Sequence, residues 1–148
     1  EEGTMRRILV ALLLPFVMAA CQSSTVAMAP PGQDAAGKQF NPPPPGTAAV
    51  YFYNPAAASP VLNVSVDGLY IGQLGTQTWM RAEINAGHHV FRCRGGNSGN
   101  GIWLNLAPGQ IRFIDVQMLP GQYVCTIRET GPDVGRASVL NGSRALQQ

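Results

Sequence analysis

The chain has 148 residues and a formal net charge of +2 at pH 7, and 12% of its residues are charged. So small a charge, with the arginines scattered, excludes a strongly basic surface, and we expect no nucleic-acid partner. Glycine (17 residues) and proline (12 residues) are abundant, while the charged share is about half that of an ordinary domain. This composition is typical of a small, turn-rich β domain with a flexible segment, and not of a helical bundle.

The chain carries an export signal near its start, in residues 5–21. Two arginines are followed by an apolar run over 8–18 and by two alanines directly before Cys21. The apolar run is about half the roughly 20 residues that a transmembrane helix needs. The sequence therefore predicts a cleaved signal peptide over 1–20. Residues 1–4 fit no targeting pattern, and we expect them to be non-native or to reflect a mis-assigned start.

The end of this segment, Met-Ala-Ala-Cys at 18–21, resembles the lipobox of bacterial lipoproteins. In that family the cysteine thiol receives a diacylglyceryl group, the signal is cleaved just before it, and the cysteine becomes the mature N-terminus. The resemblance implies lipid attachment at Cys21 and an anchor in the bacterial cell envelope. Because Gln22 and not aspartate follows, it also implies the periplasmic face of the outer membrane. A plain secretory signal with an unmodified cysteine is the alternative.

Residues 21–46 have the composition of a linker. They are rich in Ser, Ala, Gly and Pro, they show no hydrophobic period, and they end in four prolines and Gly46. We predict a lipidated cysteine followed by a flexible, disordered Pro-rich tether that reaches several tens of ångströms from the bilayer. An ordered arm that packs along the domain is the alternative, and it is open for Phe40.

From residue 47 the chain consists of short β-type runs between glycine-containing turns. The predicted strands are 48–54, 62–66, 69–74, 78–85, 88–94, 102–106, 110–119 and 122–129. Asp67-Gly68 is a strong hairpin signal, and the glycine-rich residues 95–101 predict a loose loop. This pattern predicts one all-β domain over 47–130, a small antiparallel β-sandwich or open barrel. The tail, 131–148, is predicted to form a short helix or to stay mobile.

Four stretches of this region resemble a known family. They are Ala-Val-Tyr-Phe-Tyr at 49–53, Val-Ser-Val-Asp-Gly-Leu-Tyr-Ile-Gly-Gln-Leu at 64–74, Asn-Ala-Gly-His-His at 85–89, and Leu-Ala-Pro-Gly-Gln at 106–110. They are similar to a bacterial domain of unknown function, found in short envelope lipoproteins, whose pattern is close to the PEGA domain. The similarity covers 47–129 and contains no catalytic motif. It supports the β fold and the envelope location, and it leaves the function open.

The cysteines divide by role. With Cys21 used by lipid, Cys93 and Cys125 remain as an even pair in an oxidising compartment. Each shares a strand face with bulky apolar neighbours, which predicts that both point inward. A disulfide between them would close a loop of about 33 residues and add roughly 3–4 kcal/mol of stability. Two reduced, buried cysteines on separate strands are the alternative.

Two tryptophans occupy the polar faces of their predicted strands. Trp79 shares its face with Arg81, and Trp103 shares its face with Asn105. Exposed indoles beside such side chains suit sugar stacking or a protein contact. These four residues are therefore the candidate binding patch. In the alternative, the tether or the tail covers the tryptophans and completes a second small core.

Motifs for catalysis and metal binding are weak. His88 and His89 are adjacent in a strand, so they point to opposite faces and cannot easily chelate one metal. The sequence also lacks a Gly-x-Ser-x-Gly nucleophile elbow. We expect no catalytic residue, no metal and no cofactor. The predicted function is a non-enzymatic binding or scaffolding module, held at the membrane by its N-terminal lipid, for another envelope protein or for peptidoglycan. The rival is an envelope enzyme or enzyme inhibitor whose site is assembled only in the fold.

Overall fold

The structure is a computed structural model that describes residues 26–96 and 98–148. The predicted signal peptide and Cys21 lie outside the described residues. The strands are β1 (Thr47–Asn54), β2 (Leu62–Val66), β3 (Leu69–Leu74), β4 (Thr78–Asn85), β5 (Gly87–Gly95), β6 (Ser98–Leu106), β7 (Ile111–Leu119), β8 (Val124–Thr130) and β9 (Ser143–Arg144). The helices are α1 (Pro31–Gly37) and α2 (Pro132–Asn141). Among the described residues, no helix is both long enough and apolar enough to cross a bilayer.

Two sheets pack face to face and confirm the predicted all-β sandwich. One has the order β8-β7-β1-β4-β9, and the other has the order β3-β2-β5-β6. All eight predicted strands are present. Two pairings are parallel, β1 with β7 and β4 with β9, although the prediction was purely antiparallel. Each of these pairs is joined by a long stretch of chain and not by a hairpin, so no tight turn imposes the antiparallel direction.

The main core lies between the two sheets. Its large buried side chains alternate along the strands, as expected for sheets with one face inward; they include Val50, Phe52, Leu62, Val64, Leu74, Met80, Phe91, Ile114 and Val116. The Cys93–Cys125 disulfide joins β5 to β8, with its Cα atoms 6.1 Å apart. It agrees with the pairing expected from the sequence and links the two sheets covalently.

A second core covers the other face of the five-stranded sheet. It is formed by Ala49, Tyr51, Tyr53, Trp79, Phe113 and Val139, with Phe40 packed against it. The rings of Phe40 and Tyr51 lie 5.3 Å apart. Strand β1 therefore has cores on both faces, and seven of its eight residues are buried. This explains why β1 is a nearly continuous apolar run and not an alternating one.

The first described segment, residues 26–46, packs on the domain, so the prediction of a flexible tether is wrong for it. Helix α1 lies over Trp79, and the Tyr51 hydroxyl donates a hydrogen bond to the Gly37 carbonyl at 2.7 Å. Helix α1 makes this contact through a glycine and its backbone and not through an apolar stripe. The sequence therefore carries no hydrophobic period that would reveal the packing. The alternative, an ordered arm that packs along the domain, is correct for Phe40, which packs against the second core.

The tail is also ordered, first as helix α2 and then as strand β9. Beyond β9 the chain pairs with the first described segment, since the Leu146 amide donates to the Ala27 carbonyl at 2.8 Å. Gln147 also forms a bridge with Gly72 of β3, in the other sheet. The two ends of the chain thus close one side of the sandwich together. The folded unit is consequently larger than the predicted 47–130 domain.

The predicted loose loop at 95–101 is wrong as well. Strand β5 extends to Gly95 and β6 begins at Ser98, and these two residues are register partners. The Ser98 hydroxyl lies 2.7 Å from the Tyr123 carbonyl and accepts a hydrogen bond from the Cys125 amide at 3.1 Å. These bonds hold a segment of poor β propensity in a strand, so tertiary contacts override composition here.

The packing of α1 on Trp79 predicts a contrast between two glycines of the same helix. A Cβ at position 37 would overlap the Trp79 ring, whereas a Cβ at position 32 meets nothing within 4 Å. We expect Gly37→Ala to lower the free energy of unfolding by about 1–3 kcal/mol through overpacking. We expect Gly32→Ala to leave it unchanged or slightly raised. Urea unfolding of both variants measures the difference, and equal midpoints would show that α1 does not rest on Trp79.

Candidate functional site

The structure separates the four residues of the predicted binding patch. Trp79 lies on β4 beneath α1 and is 0% exposed, whereas Trp103 lies on β6 in the other sheet and is 75% exposed. The predicted patch is therefore wrong for Trp79 and Arg81, because residues 26–46, which we call the N-terminal arm, cover that face. Trp103 and Asn105 stay together on an exposed face, as the alternation along β6 predicted.

Trp79 and Arg81 belong to the packing of the second core. The Arg144 guanidinium lies over the Trp79 ring at 5.4 Å. Arg81 donates one hydrogen bond to the Tyr51 hydroxyl at 3.1 Å and another to Glu83 at 3.4 Å. Burial raises the pKa of the Tyr51 phenol, against the opposing effect of Arg81. The phenol thus stays protonated and can donate to the α1 backbone, which fixes the arm.

A cleft of about 490 Å³ lies between α1, the proline run and β4. Its charged lining consists of Arg81, Arg144 and Glu83. Acid–base chemistry on a substrate needs a second titratable group beside the carboxylate. The lining supplies two guanidinium groups instead, and one of them is already paired with Glu83. The arrangement suits packing of the arm more than it suits turnover of a substrate.

The exposed face of the β3-β2-β5-β6 sheet forms a second concave surface. We call it the open face and define it by its outward-facing residues, namely Asn63, Ser65, Tyr70, Arg92, Arg94, Gly99, Gly101 and Trp103. The register aligns Tyr70, Ser65, Arg92 and Gly101 in one row across the four strands. Small residues in the middle of the face leave a depression of about 470 Å³. This is the surface best shaped to receive a ligand.

Two glycines of β6 make room for two arginines of β5. A Cβ at Gly101 would approach Arg92 Cγ to 3.1 Å, and one at Gly99 would approach Arg94 Cγ to 3.9 Å. The aliphatic stems of both arginines therefore lie close over β6, with the residues exposed to solvent. Trp103 follows on the same strand face, opposite Val90. Composition alone predicts a loop at these glycines and gives no signal for this role.

Tyr70 reaches the open face because of a β-bulge. The register changes from Val64 opposite Gly72 to Ser65 opposite Tyr70, which leaves Ile71 as the extra residue. Simple alternation along β3 would place Tyr70 on the inward side with Leu74. The bulge turns it outward instead, where it is 43% exposed. Sequence periodicity alone gives no signal for this change of face.

Most cationic side chains of the described residues have a partner. Four form ion pairs, namely Lys38 with Asp34, Arg81 with Glu83, Arg112 with Glu129 and Arg128 with Asp115. Arg136 and Arg144 lie over the aromatic rings of the second core. Among the Lys and Arg side chains of residues 26–96 and 98–148, only those of Arg92 and Arg94 form neither a hydrogen bond nor an ion pair and lie over no aromatic ring. Both lie on the open face.

The two histidines lie on different sides of β5, as predicted. His89 Nδ1 is 2.6 Å from a carboxylate oxygen of Asp67, and His89 Nε2 is 2.7 Å from the Asn85 carbonyl. His88 is exposed opposite Asn105 of β6. Among the described residues, no three His, Cys, Asp or Glu side chains are grouped closely enough to hold a metal ion. His89 thus ties the β2–β3 turn to the end of β4.

Asp67 carries the electrostatic part of that connection. The Val90 amide donates to its carboxylate at 2.8 Å, and this bond together with His89 lowers the pKa of Asp67. A lowered pKa in the folded state stabilises the fold above the unfolded value of about 4. The contribution is lost as the pH falls through the folded pKa. It amounts to no more than about 1 kcal/mol, because the side chain is half exposed.

Asp67→Asn isolates this contribution, since asparagine suits the turn equally well and keeps an acceptor for the Val90 amide. We expect the variant to be less stable than the wild type at pH 6 and the difference to shrink as the pH falls through the lowered pKa of folded Asp67. Urea midpoints measured across this range give the difference. A difference that does not change with pH would show that the carboxylate charge contributes nothing.

Neither a protein-family model nor a curated protein matches this chain.

Proposed function

We propose that this chain is a lipid-anchored protein of the bacterial cell envelope and that it works as a non-enzymatic binding or scaffolding module. Its partner is another envelope protein or cell-wall glycan, and it meets that partner with the open face. The export signal and the lipobox-like end at Cys21 support the location. The location we propose is the periplasmic face of the outer membrane.

One observation carries the binding function, namely the exposure of Trp103. A tryptophan is a costly residue to leave 75% exposed, and here it stands beside a depression of about 470 Å³. Large exposed aromatic residues are enriched where proteins make contacts. Both helices pack on the corresponding face of the other sheet, over Trp79 and Phe113, whereas among the described residues the open face keeps Trp103, Tyr70 and both arginines exposed.

Because the N-terminal arm packs on the domain, an anchor at Cys21 allows a shorter distance between the domain and the bilayer than a flexible tether would. Val26 already packs against the main core, and it lies five residues after Cys21. Five residues span at most about 18 Å. A lipid on Cys21 would therefore hold the domain close to the bilayer and not several tens of ångströms away. The partner we propose accordingly lies near the membrane surface.

The anchor is tested by the intact mass of the protein extracted from its own membranes under non-reducing conditions. We expect a chain that begins at Cys21, carries acyl groups, and lacks two hydrogens because Cys93 and Cys125 are bonded. A chain that retains residues 5–20 and carries no lipid would overturn the lipoprotein assignment.

The binding face is tested by crosslinking in the native envelope. We expect Trp103→Ala to remove most of the crosslinked product, because loss of a central aromatic contact costs about 2 kcal/mol or more, roughly 30-fold in affinity. Leu140→Ala is the matched control, since Leu140 is 53% exposed on α2, away from the open face. Equal crosslinking of wild type and both variants would refute the assignment of this face.

A further inference from the structure

We propose that the open face binds an acidic glycan, a polysaccharide that carries carboxylate groups. Arg92 and Arg94 are its anion-binding residues, and Trp103 and Tyr70 are its stacking residues. This inference rests on the proposed function, because it names the class of ligand that the same face would take.

The charge of the face indicates an anionic ligand. The ion-paired cations of the described residues lie elsewhere on the domain, whereas Arg92 and Arg94 face the depression with no carboxylate among its lining residues. Arg92 and Arg94 are positions i and i+2 of one strand, and such positions are about 6.6 Å apart. The two guanidinium groups can therefore bind neighbouring anionic groups of one ligand. Each can donate two parallel hydrogen bonds to one carboxylate.

The floor of the depression suits a chain of hydroxyl groups. Asn63 and Ser65 of β2 line it with short polar side chains, and β2 lies between the two arginines of β5 and Tyr70 of β3. Such side chains can both donate and accept hydrogen bonds, as sugar hydroxyl groups do. No deep apolar pocket that would hold a Leu or Phe anchor of a protein partner opens among these lining residues.

The two aromatic residues are placed for stacking. Trp103 on β6 and Tyr70 on β3 lie on the two outer strands of the sheet, with the arginines of β5 between them. The face of an aromatic ring is electron-rich and attracts the polarised C–H groups of a sugar ring. A ligand that crosses the sheet from β3 to β6 would thus meet a ring, an anion site and a second ring in turn.

An acidic peptide is the less favoured ligand. Extended peptides usually add to a free sheet edge through their backbone. Here Gln147 bridges to β3 at one edge, and β6 packs beside β8 at the other. The open face offers side chains and not edge amides, which suits a glycan better than a peptide strand.

The test uses the purified mature protein and one sugar polymer in two forms, oligogalacturonate and its methyl ester. The ester keeps the sugar ring and removes the charge. We expect binding of the acid form, at least about tenfold weaker binding of the ester, and weaker binding as salt rises. We expect Arg92→Gln/Arg94→Gln to weaken binding of the acid form by at least about tenfold, since the variant removes both guanidinium groups and their charge-assisted hydrogen bonds.

Two controls separate charge from geometry and from folding. Arg92→Lys/Arg94→Lys keeps the charge but loses the paired donors, and we expect an intermediate affinity. Lys38→Gln removes one cation directly after α1, on the other side of the five-stranded sheet, and should bind like the wild type. Both arginines are exposed and without described partners, so unfolding midpoints should not change.

Several results would overturn the inference. They are no binding of oligogalacturonate at low salt, equal binding of acid and ester, no loss in the Arg92→Gln/Arg94→Gln variant, or tighter binding of poly-L-glutamate than of the acidic sugar. If any of these occurs while envelope crosslinking still depends on Trp103, the proposed function stands and only the ligand class fails. If the crosslinking is also independent of Trp103, the proposed function fails with it.

Discussion

Strand β1 is buried on both faces, and the rest of the structure depends on this constraint. One face carries Val50 and Phe52 into the core between the sheets, and the other carries Tyr51 and Tyr53 into the second core. A strand of this kind needs a cover on each side. The second sheet supplies one cover, and the arm with helix α2 supplies the other. The flanking segments that resemble linkers in composition are thereby part of the fold.

The same constraint decides which surface stays free. On the outer face of the five-stranded sheet, α1, α2 and Phe40 cover β1, β4 and part of β7, while Arg128 of β8 stays exposed. Among the described residues, the outer face of the four-stranded sheet keeps Trp103, Tyr70 and two arginines in solvent. This is the face that we propose as the contact surface. The disulfide between β5 and β8 holds this sheet against the other.

The sequence predicted the eight main strands because their alternation and their turns are local features. It also placed Trp103 on the polar face of its strand, with cover by the tether or the tail left open, and it predicted that Cys93 and Cys125 would point inward. It failed for residues 26–46, where α1 packs through Gly37 and its backbone and leaves no apolar stripe to detect. The sequence also failed at 95–101, where the glycines predicted a loop but two of them belong to β6. The Ser98 hydroxyl holds this segment in the strand through hydrogen bonds with the Tyr123 carbonyl and the Cys125 amide.

The sequence by itself determined the strand pattern, the inward cysteines and the sign of the charges, since each follows from side-chain chemistry along a single segment. Only the tertiary structure decided which tryptophan is buried, because that depends on where the arm and tail return to the sheet. It also decided that Tyr70 faces outward, through a bulge that alternation does not reveal. Finally, it decided that Arg92 and Arg94 have no ion-pair partner among the described residues, since ion pairing depends on the approach of residues distant in the chain.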